Sequence, residues 1–65
     1  MNEQRQKALD YIDLHLMMLH QAKKNGQLAT LDFKQSRLIG IVGMAKELDL
    51  ITVEEYLEYI NKIEI

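Results

Sequence analysis

The chain has 65 residues, a formal net charge of −2, eight basic against ten acidic residues, and no Cys or Pro. Without Cys there is no disulfide framework, thiolate nucleophile, iron–sulfur cluster or Cys-based zinc site. The mild acidity withholds the strong positive field that general nucleic-acid binding requires.

Size adds a bound. Surface scaling for 7.6 kDa gives a folded area of roughly 4,300 Å² against roughly 11,000 Å² unfolded. Burial then contributes on the order of 100 kcal/mol, and ordering the chain costs about the same. A lone monomer of this size is marginal, so an oligomer or a bound partner is expected. The longest apolar run, Leu38 to Ala45, is interrupted by Gly40 and Gly43 and is too short to span a bilayer. The polar segment Met1 to Lys7 leads into no apolar signal core. The expectation is a cytoplasmic protein with no membrane contact.

The apolar residues recur with the helical period in three segments. The first predicted helix runs from about Glu3 to Asn25, with Asn2 as N-cap, Lys23 and Lys24 at its negative end, and Gly26 as the stop. Ala8, Leu9, Ile12, Leu16, Leu19 and Ala22 share one face, flanked by Tyr11 and Met18. Leu14 and Met17 fall on or near the polar side, out of reach of a monomer's core.

The second predicted helix spans about Leu31 to Leu48, with Thr30 as N-cap. Leu31, Leu38, Ile41, Val42, Ala45 and Leu48 share one side. Phe33, Ile39 and Met44 lie elsewhere, and Ser36, Gly40 and Gly43 form a strip of small residues on the back. A helix apolar nearly all round is central or shared between subunits. Each interior glycine costs roughly 1 kcal/mol against Ala, and close approach of another helix accounts for both.

The third predicted helix covers residues 53–64. Thr52-Val53-Glu54-Glu55 is a capping box, and Ile51 is placed to staple onto Tyr56. Val53, Tyr56, Leu57, Ile60 and Ile63 form the expected inner face, with Tyr59 at its edge and Glu54, Glu55, Glu58 and Lys62 outside.

No pattern of catalytic, cofactor-binding or metal-ligating residues emerges. His15 sits within the apolar arc, where a hydrogen-bonded or interfacial histidine is the simpler reading. His20, five positions on, falls about 140° away around the helix. Asp10 and Asp13 form an i,i+3 carboxylate pair on a solvated face. Gly40-Ile41-Val42-Gly43 lacks the Gly-Lys-Ser/Thr ending of a phosphate loop and follows no strand. Charge is unevenly spread: six basic and four acidic residues in the first 37, two and six in the rest.

The expected architecture is an all-α single domain over residues 1–65. An antiparallel hairpin of the first two helices is crossed by a short third and completed by self-association as a homodimer. The expected function is a non-enzymatic protein–protein interaction module: a regulator, adaptor or inhibitor. The candidate interface is Leu14, Met17, Met18, Phe33, Ser36, Gly40, Gly43 and Met44, facing a second copy or another protein of unknown identity. A dimeric nucleic-acid binder using the lysines near the first turn, or a subunit of a larger complex, are the alternatives.

Overall fold

The computed structural model describes residues 3–64, apart from the Leu28 side chain. Three α-helices follow in order: α1 (Glu3–Lys24), α2 (Leu28–Glu47) and α3 (Val53–Glu64). Among the described residues there is no strand, and no helix is long and apolar enough to cross a membrane. The expected Asn2 cap lies outside the described residues.

α1 ends as its sequence dictates. Gly26 takes a left-handed φ of 75°. Its N–H donates to the Lys23 carbonyl at 3.2 Å and that of Gln27 to Ala22 at 2.9 Å, the paired bonds of a Schellman motif. The chain then re-enters a helix at once. α2 begins at Leu28, not Leu31, and Thr30 is not its cap. Gln27 holds the N-cap position and makes no side-chain cap bond. The cause is the compact turn: the Schellman bonds use up Gly26 and Gln27 and leave no extended linker for Thr30 to occupy.

α2 ends the same way without a glycine. Asp49 has φ 59°, its N–H donates to Lys46 O at 3.0 Å, and Leu50 N–H donates to Ala45 O at 2.9 Å. This early, sharp exit turns Leu48 outward. Leu48 is 60% exposed and does not join the inner face expected of it.

α3 starts at its capping box. Glu55 N–H donates to Thr52 Oγ1 at 3.1 Å, and Thr52 N–H donates to Glu55 Oε1 at 2.9 Å. Ile51 before it is buried, and Tyr56 packs against the same core. The inner face of α3 is rotated from the expected one. Tyr59 and Ile63 are buried, whereas Val53 and Leu57 are 57% and 58% exposed. A hydrogen bond from the Tyr59 hydroxyl to Asp13 Oδ1 at 2.7 Å pulls the ring under α1, which the apolar pattern alone does not reveal.

The core gathers Ile12, Leu16 and Leu19 of α1, Leu38, Val42 and Ala45 of α2, and Ile51, Tyr59 and Ile63. α2 is the central helix, packed against both neighbours, while α1 and α3 touch less. The molecule is elongated, 39 × 18 × 15 Å.

Candidate interaction surface

The two sides of the α1–α2 hairpin differ in chemistry. On one side, polar anchors fasten α3. The Arg5 guanidinium grips the Glu55 carboxylate with two bonds of 2.8 and 2.7 Å and also donates to Leu50 O at 3.0 Å. Asp13 accepts from Tyr59. His20 Nε2–H donates to Lys62 O at 3.1 Å, and Gln35 Nε2–H to Ile63 O at 3.2 Å. The last two satisfy carbonyls that the end of a helix leaves without intrahelical partners. The Arg5 hydrogen bonds, aided by the Thr52 N–H, hold the Glu55 carboxyl down to about 2, from an ordinary 4.5. Burial, and secondarily the hydrogen bond to Asp13, push the Tyr59 phenol above its ordinary 10.

The other side of the hairpin is bare. At about 100° per residue, Tyr11, Leu14 and Met18 form one row along α1, and Phe33, Gly40 and Met44 form another along α2. These rows face away from the anchors to α3. Phe33 is 70% exposed and Met44 62%. A cleft of about 120 Å³ separates the rows. Leu19, Leu38 and Ile41 form its apolar floor, His15 and Met18 its α1 wall, and Lys34 and Arg37 its α2 rim. The half-buried His15 ring stacks on Tyr11, centroids 4.1 Å apart, and its Nδ1–H donates to Tyr11 O at 2.9 Å. Among the described residues, neither Lys34 nor Arg37 has a carboxylate within ion-pair distance.

The structure brings Leu14, Met18, Phe33, Gly40 and Met44 of the candidate interface onto this one face. It does not bring the other three there. Met17 is exposed but turned toward a shallow depression beside Asp13, His20 and Gln21. Ser36 and Gly43 sit between the Phe33–Met44 row and the side of α2 that meets α3. A Cβ built on Gly40 or Gly43 would meet nothing within 4 Å. The third helix therefore does not occupy the small-residue strip, and among the described residues no packing requires either glycine.

Sequence reasoning left out Tyr11, Lys34 and Arg37 as members of this surface. Tyr11 could have been found from its i+3 and i+7 spacing to Leu14 and Met18. The two cations gain their meaning only from the cleft, which the pairing of α1 with α2 creates. Among the described residues, no group of three His, Asp or Glu side chains is placed to hold a metal ion. The chain matches no protein-family model, no curated protein and no solved structure against which it was compared.

Proposed function

We propose that this chain is a small, non-enzymatic, cytoplasmic interaction module, a regulator, adaptor or inhibitor, whose working surface is the bare α1–α2 face. The observation that carries the reading is the clustering of exposed Tyr11, Leu14, Met18, Phe33 and Met44 on the side of the hairpin opposite α3. Scattered surface apolar residues need no explanation, but two exposed apolar rows flanking a cleft on one face are a mark of a protein contact. Methionine suits such a surface because its unbranched side chain adapts to irregular partners. The total accessible surface supports the same reading. It is 4,800 Å², above the roughly 4,300 Å² that a compact monomer of this mass exposes.

The test is affinity capture from the native host with the wild type and with the double variant Met18→Glu, Phe33→Glu. Both substitutions fall on exposed positions, so circular dichroism should show an intact fold. A stoichiometric associate held by the wild type and lost by the variant is the expected result. An associate held equally by both would move the working surface elsewhere.

A further inference from the structure

The cleft between α1 and α2 joins an apolar floor to a cationic wall. The floor belongs to the core: Leu19 and Leu38 are buried, with Ile41 half-buried beside them. The α2 wall carries Lys34 and Arg37, and no Asp or Glu lines the cleft. On the premise that this face is the working surface, we propose that the cleft receives one apolar side chain from an acidic segment of a partner protein, whose carboxylates pair with Lys34 and Arg37.

Size selects a single side chain. The cleft holds about 120 Å³, well under the roughly 300 Å³ at which sites for drug-sized ligands begin. It is close to the roughly 150 Å³ of a cavity that takes one benzene ring. A leucine or phenylalanine side chain matches that space. A free molecule of ring size has too few atoms for tight binding, whereas a side chain brings the rest of its segment onto exposed Met18, Phe33 and Met44. Interfaces concentrate their binding energy in a few such anchors. The other depressions on the hairpin lack this combination. The one beside Met17 includes the Asp13 carboxylate, and the one beside Lys23 holds about 20 Å³, room for little more than a water molecule.

Charge selects an acid. Three cations are half-buried among the described residues: Arg5, Lys34 and Lys46. Arg5 is bonded to Glu55. Lys46 lies 3.7 Å from Glu47 and over the Tyr56 ring. Lys34 has neither a carboxylate within ion-pair distance nor an aromatic face beneath it among the described residues. Part of its hydration is lost with no ionic partner to offset the loss. Arg37, one turn further along α2, also lacks a carboxylate, and its planar guanidinium suits two-bond recognition of one. The two stand on neighbouring helical positions, roughly 5–6 Å apart at Cβ, so carboxylates one helical turn apart on the partner reach both. Screening within about 8 Å at physiological salt makes these local cations, not the net charge of −2, decide what approaches the cleft.

The test uses two synthetic hexapeptides with blocked ends, one setting a phenylalanine among glutamates and the other setting it among lysines. Titrated into isotope-labelled protein, the glutamate peptide should shift the NMR signals of Leu38 and Ile41. It should bind at least about tenfold more tightly than the lysine peptide, and replacing its phenylalanine by alanine should abolish the shifts. The double variant Lys34→Glu, Arg37→Glu should invert the preference, and binding of the lysine peptide at the same signals would also show that the variant is folded. A glutamate peptide that binds no better than the lysine peptide overturns the proposal, as does one that binds equally well without its phenylalanine. Single-stranded DNA that moves the same signals at lower concentration overturns it in favour of phosphate, and a wild type that sediments as a dimer closed over Leu38 and Ile41 overturns it in favour of a second copy. If the peptides fail while Met18→Glu, Phe33→Glu still releases a captured associate, the acidic occupant falls and the working surface stands. If that variant keeps its associate as well, both fall.

Discussion

Glu55 does three things with one carboxylate: it accepts from Arg5, accepts from the Thr52 N–H, and occupies the first turn of α3. The fold favours its ionised form, so its titration is lowered from 4.5 to about 2. Its stabilising contribution is therefore complete above about 4.5 and is lost as pH falls toward 2. Thermal unfolding followed by circular dichroism from pH 6 to about 2 should show a steeper fall in that window for the wild type than for Glu55→Gln. Parallel curves would mean that the Arg5–Glu55 clamp does not form in solution. The Thr52 hydroxyl is the other half of the box, and Thr52→Ala should lower stability by about 1 kcal/mol through loss of one cap bond. An unchanged melting temperature at equal protein concentration would show that α3 starts elsewhere.

At the scale of elements, both inter-helix turns follow one design with different residues at the left-handed position. Gly26 adopts φ 75° at no steric cost, whereas Asp49 adopts φ 59° with a Cβ present. Asp49→Gly should therefore raise stability by about 1 kcal/mol, measurable by urea unfolding. A loss would assign the Asp49 side chain a role beyond the backbone turn. Gly43 presents the opposite case. It lies inside α2, and a Cβ there meets nothing within 4 Å. Gly43→Ala should stabilise the chain by about 1 kcal/mol, and a destabilised variant would show that another helix approaches at that point.

These elements also show what the sequence makes legible. Local signals did well: the Thr52–Glu55 box, the Gly26 stop and the i,i+4 spacing of Ile12 and Leu16 are decided within one turn of helix. Readings that depend on a distant residue did not. Tyr59 enters the core because Asp13, in another helix, accepts its hydroxyl bond. Leu48 leaves the core because Asp49 turns the chain before the next helical register is complete. The α2 start moved because the Gly26 turn consumed the residues that would have let Thr30 act as a cap. For the candidate surface, periodicity identified apolar residues too numerous for one core. It could not say which of them share a face, since that follows from where α3 docks.

Over the whole molecule, charge gives the last expectation. Lys23 and Lys24 are exposed beside the first turn, and Lys34 and Arg37 lie on α2 at the rim of the cleft. These are the cations on which a nucleic-acid reading would depend. Their setting weakens them as a phosphate site. Lys23 and Lys24 lie in the last turn of α1, where they complement the negative end of its dipole, and the chain as a whole is acidic at −2. The exposed ring closest to these cations in sequence, Phe33, belongs to the apolar face; four dispersed cations with one such ring do not make a stacking groove. Binding to duplex DNA or structured RNA at physiological salt should be no tighter than about 10 μM. Fluorescence anisotropy with both polymers at two salt concentrations measures this directly. Submicromolar affinity that falls steeply with salt would make phosphate contact the main work of the chain and displace the apolar face from that role.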